Sequence, residues 1–331
     1  MFVVTALAVL GVRKRLKPLL RTWRSRLTFV VTASAVLGVR KRLKSLLRTW
    51  FVVTALAVLC ACRAAESPSL GRVGVCAEWT PDLQAQLDNL GDIWYYDYRY
   101  ETPTVAGHLR LYMVKYVLFD AELAAAIRSH PGSWWAVGNE PNDPHQDYRT
   151  PAEYARFFYS FTQFAKKSDA KCKIIPGGVA NADWRWANAF REEYRRLYNR
   201  YPAVDGWNIH NYLLDTTLDP YDVSEFKRRI LAFRHWMMEI GEANKPLFLT
   251  EFGVLYGVGC CERPLDPPEK TIRFMRETVS WLAETDYVQH WAWFIVNNAR
   301  EFNGGLYDAA GELSSYGETY RELQVSLDRS P

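Results

Sequence analysis

Two glutamates close apolar, strand-like runs and are the strongest candidates for chemistry. Glu140 ends the run Trp134-Trp135-Ala136-Val137-Gly138-Asn139, and Glu251 ends Leu247-Phe248-Leu249-Thr250. A carboxylic acid and a carboxylate facing each other can cleave a glycosidic bond with retention. One protonates the leaving oxygen while the other attacks the anomeric carbon, at a separation of about 5–5.5 Å. The acid must stay protonated at working pH, which burial beside the partner's negative charge promotes. By strand alternation Glu140 shares a side with Gly138 and Ala136, and Glu251 shares one with Leu249 and Leu247. His210 and Tyr212 in Trp207-Asn208-Ile209-His210-Asn211-Tyr212 also share one parity and therefore one side.

Positioning such groups requires strands that end at a common mouth. From Arg72 onward, apolar runs alternate with amphipathic stretches, the rhythm of parallel βα units. The runs cover approximately 73–78, 92–98, 109–114, 134–139, 173–178, 204–210, 246–251 and 288–294. Helices are expected near 81–90, 121–129, 151–168, 184–199, 222–243, 268–285 and 314–325, with none clear after the second strand. Thr80-Pro81-Asp82 and Thr150-Pro151-Ala152-Glu153 read as helix starts, the latter with capping-box spacing. The expected fold class is α/β, a single-domain (β/α)8 TIM barrel over residues 66–331. No Gly-rich turn follows the first strand to support an open dinucleotide-binding sheet. In such a barrel the active groups stand at the carboxyl ends of the strands, and the fourth and seventh face each other across the mouth.

Charge divides the chain in two. Residues 1–65 hold thirteen Lys and Arg and no acid, so 66–331 hold 28 basic against 37 acidic residues, an acidic domain within a chain of net charge +4. Without a basic stripe that domain repels phosphate backbones, which excludes a nucleic-acid partner. The basic segment is a near-identical repeat starting at Phe2, Phe29 and Phe51. Each apolar run is about a dozen residues, too short to span a bilayer and suited to a signal peptide. Export through the third copy is expected, with the first two as an upstream duplication; interfacial helices are the other reading. Leu59-Cys60-Ala61-Cys62 resembles a bacterial lipoprotein cleavage site, which would leave Cys62 lipidated and tether the protein to a membrane. The six cysteines include no C-x-x-C pair or zinc-finger spacing. Cys76 and Cys172 read as buried thiols, and Cys260-Cys261 as a loop pair whose oxidation state stays open.

Asn139-Glu140-Pro141 and Thr250-Glu251-Phe252-Gly253, on the fourth and seventh runs, together resemble the paired signatures of glycoside hydrolase clan A. The resemblance covers nearly all of 72–325. It implies Glu140 as acid/base, Asn139 as ligand of the sugar 2-hydroxyl and Glu251 as nucleophile. It further implies that His210 and Tyr212 hold the nucleophile and the sugar, and that Trp293 is a sugar platform. Trp94-Tyr95-Tyr96 with these runs resembles the endo-β-1,3-glucanases of family 128, and the long helix after Thr150 resembles families 39 and 5. The implied substrate is a β-linked glucan or another wall polysaccharide.

Thirteen tryptophans and nineteen tyrosines exceed ordinary packing needs, and aromatic faces suit sugar C–H faces. Trp79, Tyr95, Tyr96, Tyr98, Trp184 and Trp186 fall in mouth segments; among them Trp79, Tyr96 and Trp184, with Arg99, are the expected substrate contacts. Asp97 could reach a sugar hydroxyl or form a salt bridge. Rival readings are a noncatalytic glycan-binding barrel, a transglycosylase using the same residues, and a metal hydrolase or isomerase built on Glu140, His210 and Glu251. No cofactor is implied.

Overall fold

Alternating strand and helix segments form in the order the hydrophobic rhythm predicts. The structure is a computed structural model that describes residues 70–116, 118–215, 217–255, 266–297 and 303–328. The expected signal or anchor region 1–65, with Cys60 and Cys62, and the pair Cys260-Cys261 lie outside the described residues. The strands are β1 Val73–Cys76, β2 Trp94–Tyr96, β3 Tyr112–Val114, β4 Trp134–Val137, β5 Lys173–Pro176, β6 Trp207–Asn211, β7 Leu247–Phe252 and β8 Val288–Trp293. The helices are α1 Leu83–Leu90, α2 Ala121–Ser129, α3 Pro151–Ser168, α4 Trp184–Tyr198, α5 Val223–Glu239, α6 Pro268–Glu284 and α7 Ser315–Asp328.

All paired strands run parallel, in one sheet ordered β2-β1-β8-β7-β6 and another ordered β3-β4-β5. Single parallel bridges, Tyr95 to Arg110 and Val179 to Ile209, join the two sheets at both margins. This is an α/β fold in which strand alternation sorts side chains into two cores. Val75, Tyr95, Trp135, Ile209, Leu249 and Trp291 pack with Leu87, Phe158, Phe233 and Met275 of the helices. Cys76, Trp94, Tyr96, Ala136, Phe248 and Ala292 face the other way and pack on one another. Trp134 of β4 meets Phe248 of β7 at 4.9 Å between ring centroids, so these strands approach through their inner faces. Burying each such large side chain contributes about 1.5–3 kcal/mol.

Local chemistry explains two of the helix starts differently. Thr150 forms the expected capping box, its hydroxyl accepting from the Glu153 amide while the Glu153 carboxylate accepts from the Thr150 amide at 2.9 Å. Thr80 does not cap α1; Pro81 and Asp82 form a turn, and the helix begins at Leu83 with no side-chain cap. Cys76 and Cys172 are both buried free thiols.

The long β2–β3 connection has no helix and is held by a buried ion pair. Arg110 Nη2 lies 2.6 Å from Asp97 Oδ1, with side-chain exposures of 1% and 0%. The same guanidinium donates to the Arg99 and Thr102 carbonyls, and Thr102 donates to Asp97. Asp97 is thereby committed to structure, not to a sugar hydroxyl. Asp97→Asn leaves Arg110 buried beside a neutral amide, and is expected to cost about 3–5 kcal/mol in urea unfolding. A loss under 1 kcal/mol would mean that water reaches the pair.

Candidate active site

Glu140 and Glu251 reach the same place by different backbone devices. Just past β4, Gly138 has φ +90° and Glu140 itself φ +44°, a left-handed conformation that costs a non-glycine residue on the order of 1–3 kcal/mol. The Glu140 amide donates to the Gly178 carbonyl at 3.1 Å, which fixes the kink. On β7 simple alternation fails. Leu247 and Leu249 face the helices, so unbroken alternation would send Glu251 the same way. The register against β6 instead slips, Ile209 pairing with Leu249 and His210 with Glu251, leaving Thr250 as the extra residue of a bulge. The bulge re-aims Glu251 inward.

Around Glu251, the Tyr212 hydroxyl donates to Oε2 at 2.9 Å and the Tyr96 hydroxyl lies 3.1 Å from Oε1. Tyr96 also lies 3.1 Å from Asn139 Oδ1. Its single hydrogen is drawn to the charged oxygen, which leaves the Asn139 carbonyl open to another donor. Asn139 is held from behind, its amide donating to Asp147 at 2.8 Å and its side-chain nitrogen to Gln146 at 3.2 Å. The buried Tyr98 hydroxyl lies near enough to Glu251 to favour the ionised carboxylate.

His210 joins both glutamates. Its Nδ1 is 2.9 Å from Glu140 Oε1 and 3.4 Å from Glu251 Oε2. Its Nε2 is 3.0 Å from Thr250 Oγ1, and that hydroxyl donates to Asn208 Oδ1 at 2.8 Å. The Thr250 hydrogen is thus used, so Nε2 carries the proton it shares with Thr250, and a further proton between Nδ1 and Glu140 can sit on either group. Burial alone would lower the His210 pKa, but Glu251 and Glu140 outweigh it and raise the imidazole above its ordinary value. Burial raises the Glu251 carboxyl, helped by the Glu140 charge and opposed by His210, Tyr212 and Tyr98.

Space for the imidazole depends on Gly178, where an added Cβ would sit 2.0 Å from His210 Nε2. Gly178→Ala must displace the ring from its place between Thr250 and the two glutamates. A displacement near 1 Å costs about 10²-fold in rate, and that fall in kcat/KM is expected with an unchanged circular dichroism spectrum. Activity equal to wild type would show that the ring position is immaterial.

Of the residues singled out from sequence, Glu140, Glu251, Asn139, His210, Tyr212 and Tyr96 come together. The others do not. Trp293 has no exposed surface; its indole donates to the Gly304 carbonyl at 2.8 Å and its ring meets Phe252 edge-on at 5.2 Å. It belongs to the helix-facing core and is not an accessible platform, because β8 turns Trp291 and Trp293 outward together. Phe294, the next residue, instead meets Tyr212 edge-on at 6.1 Å. Trp79 and Arg99 line a cleft beside Tyr98, while Trp184 sits in a separate recess with Asn142 and Arg229, its face covered by Arg185 at 4.6 Å.

Sequence reasoning gave no role to Asn208 or Thr250, and it placed Tyr98 among the mouth aromatics without making it a substrate contact. Asn208 shares parity with His210 and could have been found; nothing in the sequence marks the bulge that brings Thr250 in.

The model of the family "Glycosyl hydrolase catalytic core" matches residues 77–320. None of the curated proteins searched matches the chain. Among solved structures, a family 128 (subgroup II) endo-β-1,3-glucanase from Pseudomonas viridiflava is 24% identical, covering 76% of this chain and 96% of its own, with TM-score 0.59. A subgroup I endo-β-1,3-glucanase from Amycolatopsis mediterranei, solved with laminaritriose, is 17% identical over 76% and 99%, with TM-score 0.59. A subgroup III curdlan-specific exo-β-1,3-glucanase from Blastomyces gilchristii, solved with glucose, is 19% identical over 76% and 97%, also with TM-score 0.59. At these identities the solved structures speak for the fold, whereas the family match spans most of the described chain: the protein belongs to the glycosyl hydrolase catalytic core family and is a glycoside hydrolase.

Proposed function

We propose that the protein is a retaining β-glycoside hydrolase of β-linked glucans, a (β/α)8 barrel with Glu140 as acid/base and Glu251 as nucleophile. One observation carries the mechanism: an oxygen of Glu140 and an oxygen of Glu251 lie within 4.8 Å of each other. Such an approach favours retention, for which the carboxyl groups stand about 5–5.5 Å apart, over inversion, at about 6.5–9.5 Å. The barrel reading is supported by the bridges at both sheet margins. The glucan reading is supported by the fold shared with β-1,3-glucanases, two of them solved with laminaritriose or glucose.

In the first step a Glu251 oxygen attacks the anomeric carbon as the glycosidic C–O bond breaks, and Glu140 gives its proton to the departing oxygen. In the second, Glu140 takes a proton from water, the water oxygen displaces Glu251, and the sugar leaves with its original β configuration. Tyr96, Tyr212 and Asn139 orient the carboxylate and the sugar. His210, sharing a proton with Glu140, keeps that proton within reach of the acid as charge moves between the two glutamates.

The first test is turnover of β-glucans, mannans, xylans and aryl β-glycosides by the protein, with the anomer released first read by NMR. A β anomer from a β-glucan is the expected result, and an α anomer would end the retaining reading. Glycosyl transfer to sugar instead of water would show in the same products as longer oligosaccharides. Glu140, His210 and Glu251 also place three donor atoms within 4.8 Å, a set that a divalent cation could use. Turnover unchanged by a chelator is expected; its abolition would favour the metal reading. Export through the segment before residue 66 belongs to the same proposal and rests on its basic-apolar pattern.

Because Glu251 must be ionised to attack, its raised pKa places the acid limb of kcat/KM above the ordinary Glu value of about 4.3. Tyr212→Phe removes a donor that favours the ionised form, so the limb should move to still higher pH, measured in the free enzyme. A limb that stays put would show that Glu251 is not the group titrating.

A further inference from the structure

Cys76, a buried nucleophilic group near enough to Glu251 to feel its charge, takes no part in either chemical step. It ends β1, fully buried on the inner face with Tyr96, Ala136 and Ala292. Its thiol donates to the Thr250 carbonyl of β7 at 3.1 Å. Since β8 lies between β1 and β7 in the sheet, this bond reaches past an intervening strand, and that strand presents the small Ala292 to the same inner core.

Thr250 is a residue that needs such a hold. It is the extra residue of the β7 bulge and stands opposite no residue of β6 or β8, and a bulge disrupts the ladder where it occurs. Thr250 is fully buried, so its carbonyl cannot turn to bulk water, and a buried carbonyl needs a donor. Two reacting groups depend on this one residue. Glu251 follows it directly and owes its inward aim to the bulge, while the Thr250 hydroxyl lies 3.0 Å from His210 Nε2. Asn208 accepts from that hydroxyl at 2.8 Å and so fixes the side chain. The Cys76 thiol acts on the main chain.

The anchor is itself well held. Cys76 pairs with Tyr96 of β2, its carbonyl accepts from the Val296 amide at 2.8 Å, and the Ala77 amide donates to the Tyr96 carbonyl at 2.9 Å. Burial and the Glu251 charge push the thiol well above its ordinary pKa. It therefore keeps its hydrogen and stays a donor, not a second nucleophile. Resting on the proposed hydrolase reading, we infer that Cys76 is a positioning residue: its thiol clamps the Thr250 carbonyl and through the bulge keeps Glu251 and His210 where the reaction needs them.

Cys76→Ser and Cys76→Ala leave nearly equal space and differ in the donor, so the pair separates the hydrogen bond from packing. In Cys76→Ala, kcat should fall at least about tenfold, toward the roughly 10²-fold cost of a misplacement near 1 Å, with KM within about threefold of wild type. Cys76→Ser should restore kcat to within about threefold of wild type. A second readout needs no turnover. In protein carrying isotope-labelled histidine, the His210 Nε2–H that bonds Thr250 should exchange with solvent at least about tenfold faster in Cys76→Ala, and near the wild-type rate in Cys76→Ser. Loss of kcat in both variants alike, or in neither, overturns the inference, as does an exchange rate unchanged in Cys76→Ala. Should the alanine variant not fold by circular dichroism, Cys76→Val, which fills the space without a donor, takes its place. If the wild type turns over no glycoside, the hydrolase reading falls, and the exchange rates alone then sustain or overturn the hold on Thr250.

Discussion

Glu251→Gln is expected to lower kcat by on the order of 10⁵-fold or more, the scale of loss when a covalent nucleophile is removed. The amide fills the same volume, and its oxygen can still accept from Tyr96 or Tyr212, which now bond the carboxylate at 3.1 and 2.9 Å. What disappears is the lone-pair charge that forms the bond to the anomeric carbon. The variant also removes a charge that burial destabilises, so the fold should be no weaker, and urea unfolding separates inactivity from unfolding. His210 provides an internal check. Its raised pKa leans on the Glu251 charge, so the imidazole resonance should titrate at lower pH in the variant. A variant within a hundredfold of wild type would take Glu251 out of the reaction. A His210 titration that does not move would put the two groups further apart than 3.4 Å.

The sequence made the glutamates legible because both stand where apolar runs stop, at or just past the carboxyl ends of their strands. The way each side chain points was less legible. Alternation puts Glu251 with Leu249, and it faces inward only because the β7 register slips at Thr250; bulges carry no residue signature of their own here. Alternation would have corrected Trp293, since Ala292 faces inward and Trp291 with Trp293 outward, but a tryptophan ending β8 next to a family-like pattern drew the functional reading. Asp97 was ambiguous because its partner, Arg110, lies thirteen residues away across a loop without helix or strand. Trp184 sits near the mouth in sequence, yet Arg185 covers its ring. Pairwise contacts of this kind depend on tertiary placement, which periodicity does not encode.

Glu140→Ala should divide substrates by leaving group. General-acid help is worth about 10²–10⁴-fold, and most of it is needed when the departing oxygen is a sugar hydroxyl. On the glucan, kcat/KM should therefore fall by about that factor. A dinitrophenyl β-glycoside leaves without protonation, so its first step should stay within about tenfold of wild type. The second step still needs Glu140 to take the proton from water, so the covalent intermediate should accumulate and show as a burst of phenolate. The alanine also vacates the space beside His210 Nδ1, 2.9 Å from the lost carboxylate. A small anion such as azide needs no base and could enter there to attack the intermediate, giving a β-glycosyl azide and restoring turnover. The assignment turns on this contrast. A uniform loss over both leaving groups, without burst or azide product, would mean that Glu140 positions the sugar and that another group carries the proton, with His210, which already shares it, as the nearest candidate.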